Sequence, residues 1–159
     1  MSDPDFREPH LRHVDFLGAF GILRRGERIL FVRNEREIDG RRTEVWDLPG
    51  GQVEAGELLV EALRRELREE VAVECVGDPA FAFVQEGERC ASDRRLYAWR
   101  SFFFEVDRFD GEPSATSEVL GVRWMDATEC FAELHAPYHD SFLRWLERGG
   151  RWFDSGWRD

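Results

Sequence analysis

Three glutamates, Glu66, Glu69 and Glu70, stand at positions i, i+3 and i+4 in the stretch RRELREEVAV. On a helix this spacing brings their carboxylates to one face, where each like-charged pair costs about 0.2–0.5 kcal/mol. A hard cation removes this repulsion, and Mg²⁺ is usually held by carboxylates together with water and substrate phosphates. The other interpretation is a solvated helix face softened by neighbouring arginines. The cluster therefore predicts either a metal site that handles phosphates or a charged surface.

The wider spacing favours the first interpretation. The chain reads GQVEAGELLVEALRRELREEVAV from Gly51 to Val73, which resembles the Nudix box, G-x5-E-x7-R-E-U-x-E-E-x-G-U, where U is aliphatic. Only Ala72 departs from it, at a glycine position. Agreement at the six charged and glycine positions arises by chance on the order of 10⁻⁶ per starting point. The matching residues are Gly51, Glu57, Arg65, Glu66, Leu67, Glu69, Glu70 and Val73.

The resemblance implies a hydrolase that cleaves a nucleoside diphosphate linked to another group. Glu66, Glu69 and Glu70 would coordinate Mg²⁺ or Mn²⁺, which neutralises phosphate charge and lowers the pKa of a bound water. A carboxylate then accepts the proton of the attacking water. Glu69, Glu70 or a glutamate outside the box fills that role. Glu118, in TSEVLGVRW, is the outside candidate, because many family members carry a glutamate in the loop before such a Trp-containing segment.

Other residues in and beside the box would support this cluster. Arg65 would orient Glu57 by a charge-assisted hydrogen bond, which a loop-like helix start permits across eight residues. Gly50 and Gly51 would let the backbone come close to metal or phosphate. A glycine just after a helix commonly adopts a left-handed conformation, and an alanine such as Ala72 at that position costs roughly 1 kcal/mol. We therefore expect a shifted or tighter helix end with activity retained.

Hydrophobic periodicity indicates the elements that position these residues. Apolar residues recur at helical spacing from about Glu57 to Val71, at Leu59, Ala62, Leu63 and Leu67. Before this helix we predict a hairpin that turns at Gly26 and then a charged loop, REIDGRRTE. After it come strand-like segments and two helices, in ATECFAEL and HDSFLRWLERGG. This order predicts an α+β fold with a mixed β-sheet sandwiched between α-helices, as in the Nudix family.

Length and composition fit one domain over residues 1–159, with 42% hydrophobic and 13% aromatic residues. We interpret residues 1–13 as a polar lead-in and residues 136–159 as a C-terminal helix with an aromatic tail. The tail carries Trp152, Phe153 and Trp157. These rings are predicted to pack back on the core or to form a subunit contact, which would make the protein a homodimer. Stacking on a nucleobase is the third alternative.

Charge and cysteine content limit the partners and the compartment. The net charge of -11 argues against polymeric nucleic acid or an anionic membrane as the partner. No stretch is long and apolar enough to span a membrane. The three cysteines form no CxxC pair and no even set, which predicts reduced thiols and a cytoplasmic protein. All basic residues are arginine, which excludes a Walker-type loop and a Schiff-base lysine.

Nucleoside triphosphates are the leading predicted substrates, as in MutT-like Nudix members. Nucleotide sugars, ADP-ribose and dinucleoside polyphosphates are the alternatives. The stretch QEGERCAS, residues 85–92, has neither the proline nor the tyrosine that marks some hydrolases of the last two groups. Two other classes are a non-catalytic nucleotide sensor and isopentenyl diphosphate isomerase. Four intact box glutamates argue against the sensor, and the isomerase resemblance stops at the box.

Overall fold

The computed structural model describes residues 15–158. In that range the chain forms strands and helices in the order β1 to β4, α1, β5 to β9, α2, α3 and β10. The strands are β1 Phe16–Arg25, β2 Arg28–Ile38, β3 Arg41–Asp47, β4 Gly50–Gln52, β5 Glu74–Cys75, β6 Ala80–Ala91, β7 Arg94–Val106, β8 Phe109–Asp110, β9 Gly121–Met125 and β10 Trp152–Arg158. The helices are α1 Leu59–Val71, α2 Ala127–Glu133 and α3 Asp140–Arg148, with a 3₁₀ turn at Pro137–His139.

The main sheet is mixed and has the strand order β10-β6-β7-β1-β2-β3. Strands β1 and β7 run parallel, as do β10 and β6, whereas the other pairs are antiparallel. Strand β4 pairs with β1, and β9 pairs with β2. Strands β5 and β8 form a separate pair. Strand β1 thus lies near the centre of the sheet. Through its pairing with β4 it brings Gly51, the first residue of the box, into the sheet.

Helices cover both faces of this sheet. On one face Leu63 and Leu67 of α1 pack in a cluster with Ala19 and Phe104. On the other face the cluster is built around aromatic and aliphatic residues of the strands and of α2 and α3, including Phe31, Phe83, Leu134 and Phe142. Full burial of such a side chain contributes about 1.5–3 kcal/mol. The predicted α+β architecture, a mixed sheet between helices, is confirmed.

Helix α1 begins two residues later than the periodicity predicts. Glu57 lies in the preceding loop, and the helix starts at Leu59 after Leu58, which makes no side-chain cap. The helix ends at Ala72, whose φ of 59° and ψ of 37° are left-handed. Ala72 therefore has the left-handed backbone that is usual for a glycine just after a helix. Its N–H donates to Arg68 O at 3.3 Å, which closes the last turn.

The prediction of a charged loop in REIDGRRTE is wrong. The segment forms the end of β2 and the start of β3, with a turn at Asp39 and Gly40. Both turn residues have positive φ, 52° and 74°, as a two-residue hairpin requires. Arg42 lies opposite Glu37 and forms an ion pair with Glu35, whereas Glu35 itself lies opposite the like-charged Glu44. This cross-strand ion pair stabilises strands that expose most of their side chains.

The C-terminal segment, which the sequence predicts as an aromatic tail, forms a β-strand. After α3 ends at Gly149, residues 152–158 form β10, which pairs in register with residues 84–90 of β6. Of the alternatives predicted for the aromatic tail, packing on the core agrees with this position. Phe153 contacts the core cluster on the sheet face that α2 and α3 cover. The hairpin turn predicted at Gly26 is confirmed, with a φ of 62°. The polar lead-in, residues 1–13, lies outside the described residues.

None of the helices within residues 15–158 combines the length and the apolar composition that crossing a bilayer requires.

Candidate active site

The three glutamates of the cluster differ in exposure although they share one helix. The side chain of Glu66 is 15% exposed, that of Glu69 is 49% exposed, and Glu70 is buried with 8% of its surface exposed. Helix periodicity explains this gradient, because Glu70 follows the buried face of α1 while Glu69 turns toward solvent. Two carboxylates are thus withdrawn from water and one remains open to it.

Arg65 ties the helix to the loop before it. Its Nε and Nη2 donate to Glu57 Oε2 and Oε1 at 2.8 and 3.0 Å, a two-point contact. Its Nη2 also donates to Gln52 O at 2.9 Å, while Nη1 contacts Glu66 and Glu69 at 3.0 and 3.1 Å. The hydrogen bond from Arg65 holds the pKa of Glu57 below its ordinary value. Arg65 therefore keeps Glu57 ionised and fixes β4, the loop and the helix relative to one another.

The glycines of β4 let its backbone touch the acidic helix. The N–H of Gly50 donates to Glu70 Oε1 at 2.7 Å. A Cβ on Gly51 would lie 2.7 Å from Glu66 Oε1, which is closer than real contacts allow. A Cβ on Gly50 would lie 2.3 Å from Ala19 O, and its φ is 144°. Both positions therefore require glycine, so that strand β4 can fit between β1 and the carboxylates.

Burial changes the acidity of the two inner glutamates. Desolvation, opposed by the Gly50 hydrogen bond and assisted by the nearby charge of Glu66, raises the pKa of Glu70 to about 8. Desolvation also raises the pKa of Glu66, against the effect of Arg65. The charges of Glu69 and Glu118 add to the rise at Glu66. A cation beside these two carboxylates would lower their pKa values and favour their charged forms.

Glu118 reaches this cluster through a loop that closes the end of α1. The Thr116 N–H donates to Glu70 O at 3.1 Å, and the Thr116 hydroxyl donates to Glu69 O. The Glu118 N–H in turn donates to Thr116 Oγ1 at 3.2 Å. Its exposed carboxylate acts on the pKa of Glu66. The loop thus places the outside candidate in the electrostatic neighbourhood of the helix.

The acidic face has the donor chemistry for a divalent cation. Glu66, Glu69 and Glu70 present carboxylate oxygens, which Mg²⁺ and Mn²⁺ prefer. Burial raises the pKa values of Glu66 and Glu70, and a cation beside them would oppose that effect. Within residues 15–158, however, no three His, Cys, Asp or Glu side chains are gathered into a metal-holding group. The residues fit a shared site completed by water and substrate phosphates better than a closed protein cage.

A cavity of about 450 Å³ lies on the opposite face of the sheet from α1. Half of the residues in its walls are Phe, Tyr or Trp, and most of the others are polar or charged. The strands contribute Phe16, Phe20, Trp99, Ser101, Phe103, Gln85 and Trp157, among others. Gln52 also lines the cavity, while its carbonyl oxygen accepts the hydrogen bond from Arg65. Strand β4 therefore connects the cavity directly to the acidic helix.

A buried carboxylate organises one wall of this cavity. Asp47 Oδ1 accepts hydrogen bonds from Tyr138 OH and His139 Nε2, both at 2.9 Å. Its Oδ2 accepts from Asn34 at 3.0 Å and from Arg36 at 3.3 Å. Burial acts to raise the pKa of Asp47, but the hydrogen bond and charge of His139 and the charge of Arg36 hold it below its ordinary value. Asp47 thus uses both oxygens to fix the wall in place.

The tautomer of His139 follows from its second partner. His139 Nδ1 accepts the Ala136 N–H at 3.1 Å. The proton of a neutral ring therefore lies on Nε2, which donates to Asp47. Tyr138 is fixed by the same carboxylate, and burial together with the Asp47 charge holds its pKa far above the ordinary value. These contacts fix the orientation of both side chains in the cavity wall.

Comparison with models of protein families shows which family the chain belongs to. Residues 15–146 match the model of the NUDIX domain. The chain belongs to the Nudix family. The family and hydrolase class predicted from the box are therefore confirmed.

Two curated relatives and one solved structure illustrate the similarity. The chain is 29% identical to the 8-oxo-dGTP diphosphatase of Escherichia coli K12 over 130 residues, 82% of this chain and 95% of the relative. It is 28% identical to the phosphatase NudJ of Escherichia coli O1:K1, over 77% of this chain and 78% of that one. The MutT protein of Bacillus halodurans superimposes with a TM-score of 0.73 at 20% identity, covering 90% of this chain and 89% of that chain. The last likeness shows that the fold is shared.

The structure of this Nudix hydrolase brings most of the predicted residues together. Glu57, Arg65 and the glutamates of α1 meet around Gly50 and Gly51, and Glu118 lies near them. Their individual roles remain predictions. Sequence reasoning missed the wall of the cavity, above all Asp47, Gln85 and Tyr138. Asp47 stands in WDLPG directly before the box, and Gln85 follows the apolar run AFAFV; these are the only local signals that the sequence gives for these two residues.

Proposed function

We propose that this Nudix hydrolase cleaves nucleoside triphosphates to a nucleoside monophosphate and pyrophosphate in a reaction that depends on Mg²⁺. The observation that carries the proposal is the position of Gln52, which lines the aromatic cavity and accepts a hydrogen bond from Arg65 on its carbonyl oxygen. A base held in the cavity would direct its phosphates along β4 toward the acidic helix. The names of the relatives, which include 8-oxo-dGTP diphosphatase, support this substrate class.

In the proposed site Glu66, Glu69 and Glu70 hold the divalent cation. When bound, the cation supplies charge neutralisation to the phosphates and lowers the pKa of water. Arg65 and Glu57 keep the helix and its preceding loop in one geometry, and the glycines of β4 keep the approach open. A misplaced ligand group would cost activity even if every carboxylate were present.

One carboxylate accepts the proton of the attacking water. Glu70, with a pKa of about 8 in the metal-free protein, has an affinity for protons suited to neutral pH. Glu69 and Glu118 are exposed and accessible to water. The pH dependence of kcat in Glu69→Gln, Glu70→Gln and Glu118→Gln separates these candidates. The proton acceptor is the residue whose replacement removes the acidic limb of the profile.

A substrate panel tests the proposal. It contains the common nucleoside triphosphates, 8-oxo-dGTP, a nucleotide sugar, ADP-ribose and a dinucleoside polyphosphate, each with Mg²⁺, with Mn²⁺ and with EDTA. We expect release of pyrophosphate from at least one triphosphate, with Mg²⁺ and not with EDTA. Preferred turnover of one of the other three groups would replace triphosphates as substrates. The absence of metal-dependent turnover of every compound would refute the hydrolytic function.

Variants of one helix connect the turnover to the proposed residues. Glu66→Gln, Glu69→Gln and Glu70→Gln are expected to lower kcat by orders of magnitude while the fold persists. Glu61→Gln is the control, because Glu61 is an exposed glutamate near the start of the same helix. Activity of all three variants at the level of this control would contradict the assigned cation site.

Location and assembly are further parts of the proposal. Cys75, Cys90 and Cys130 are free and buried, which supports the cytoplasm as the compartment. A homodimer stays a prediction. Light scattering coupled to size-exclusion chromatography distinguishes a mass of 18.6 kDa from twice that value.

A further inference from the structure

Strand β10 lies outside the part of the chain that matches the family. The NUDIX match ends at residue 146, and β10 covers Trp152–Arg158. The strand nevertheless extends the central sheet, pairing in parallel with β6 from Trp152 opposite Val84 to Arg158 opposite Cys90. Strand β10 thus contributes to the cavity although the family match does not include it.

Specific contacts hold β10 in this position. Arg144 Nη2 donates to Asp154 O at 2.7 Å, and the Ser155 hydroxyl donates to Asp140 Oδ1 at 2.8 Å, so α3 is fixed to the strand. Gly87 of β6 permits the close approach, because a Cβ there would lie 2.6 Å from Ser155 O and 2.5 Å from the indole of Trp99. The strand is therefore a built part of the cavity wall.

Trp157 is the residue of β10 that lines the cavity. The guanidinium of Arg89 lies 4.7 Å from the centre of its ring, and the ring of Tyr138 lies 5.8 Å away at 47°. Its Nε1–H is buried and has no acceptor within residues 15–158. An unpaired buried donor is costly, so the indole nitrogen itself contributes nothing to the stability of the fold.

Gln85 supplies a directional polar group beside this aromatic wall. It lines the cavity and is 3% exposed. Its Nε2 donates to Tyr138 O at 2.8 Å and to Ser141 Oγ at 2.9 Å. Both hydrogens of the amide are thus bound by protein, which fixes its orientation and offers Oε1 to an N–H of a ligand.

We propose that Trp157 is a specificity-determining residue whose indole, together with Tyr138, packs against the planar base of the nucleotide. This inference rests on the proposed function for its class of ligand. Aromatic side chains bind any base through its ring face, while Gln85 Oε1 favours a base that presents an N–H donor at its edge. Strand β10 thereby makes the enzyme select phosphoanhydrides that carry a base over those that do not.

Binding of reaction products tests the inference without turnover. The probes are AMP, GMP, CMP, UMP and the base-free ribose 5-phosphate, measured by isothermal titration calorimetry on the full chain with Mg²⁺. We expect at least one nucleotide to bind the wild type more tightly than ribose 5-phosphate does. Trp157→Leu should weaken that nucleotide roughly tenfold, whereas Trp157→Phe, which keeps an aromatic ring, should weaken it less than threefold. Ribose 5-phosphate should bind all variants equally.

Trp152→Ala is the matched control, since Trp152 is the other tryptophan of β10 and is 58% exposed outside the cavity lining. It should bind every probe as the wild type does. Three results would overturn the inference: no preference of the wild type for any nucleotide over ribose 5-phosphate, wild-type affinity in Trp157→Leu, or an equal loss in Trp152→Ala. Pyrophosphate release is measured separately. Base binding that depends on Trp157 without any turnover would remove the hydrolytic proposal and leave this one standing.

Discussion

Arg65 holds Glu57 with two parallel hydrogen bonds, from Nε to Oε2 at 2.8 Å and from Nη2 to Oε1 at 3.0 Å. Only a guanidinium matches a carboxylate in this way, since lysine presents a single point charge. The same Nη2 also binds Gln52 O. The contact therefore joins the loop, β4 and α1 at the point where the cavity meets the acidic helix.

The first prediction concerns this contact. Arg65→Lys keeps the charge and loses the two-point geometry, so kcat/KM should fall roughly 10- to 100-fold, as for groups that orient metal ligands. Steady-state kinetics at fixed Mg²⁺ measure the loss. The control is Arg68→Lys in the next turn, where Arg68 forms an exposed pair with Glu74. A loss of the same size in the control would show that the effect is not specific to the Arg65–Glu57 pair.

A second prediction concerns the contact between strand and helix. In Gly51→Ala the new methyl group would lie 2.7 Å from Glu66 Oε1, so the carboxylate or β4 must move. We expect the free energy of unfolding to fall by about 1–3 kcal/mol, with a larger relative loss of activity. Urea unfolding and kinetics check both effects.

Gly156→Ala is the control for this change, because a Cβ there meets nothing within 4 Å. Its stability should be unchanged or slightly higher. If Gly51→Ala behaves like Gly156→Ala, the closeness of β4 to Glu66 has no functional importance.

A third prediction uses the end of α1. Ala72 has a left-handed backbone, with φ 59° and ψ 37°, which costs a residue with a Cβ about 1–2 kcal/mol. Ala72→Gly removes this cost but gives the unfolded chain more freedom, worth about 0.4–1 kcal/mol. The net gain in the free energy of unfolding should be about 0–1.6 kcal/mol, with activity retained. Ala72→Val should change stability in the opposite direction, and a stability loss in Ala72→Gly would contradict this account.

A fourth prediction concerns pH and the metal-free protein. Folding raises the pKa of Glu70 from 4.5 to about 8. Between these values the folded state binds more protons than the unfolded state, so the free energy of unfolding falls as pH rises. The stabilising contribution is complete below pH 4.5 and is lost as pH passes 8.

Glu70→Gln isolates this effect, because glutamine resembles the protonated acid and still accepts the Gly50 hydrogen bond. Urea unfolding in EDTA from pH 5 to pH 8 should show a steeper loss of stability in the wild type than in the variant. Parallel curves for the two proteins would mean that Glu70 does not titrate in this range.

The sequence predicts the acidic helix and its partners because they interact over short distances along the chain. Glu57, Arg65 and the three glutamates of α1 lie within one motif, and spacing alone places them together. The turn at Asp39 and Gly40 also follows from neighbouring residues. The many charged residues on both sides of it, however, favour the prediction of a loop where the structure has two strands. Cross-strand pairing, which single-residue propensity does not include, decides that segment.

The cavity could not be predicted in the same way. Asp47 meets His139 across 92 residues, and Gln85 meets Ser141 across 56. Such contacts exist only once the order of strands is known, and no local spacing indicates them. The tail was recognised as aromatic, yet its parallel pairing with β6 depends on an edge that appears only in the assembled sheet.

That pairing also bears on how the molecule folds. Arg89 and Trp157 are neighbours in the sheet although 68 residues separate them, and contacts of such high sequence separation form slowly because a long loop must close first. The acidic helix and the β6–β7 hairpin can be native while the aromatic wall is still open. We therefore expect docking of β10 to be a late step of refolding. The fluorescence of the indoles should then reach its native value after the helical circular dichroism does, and simultaneous recovery of the two signals would contradict this order.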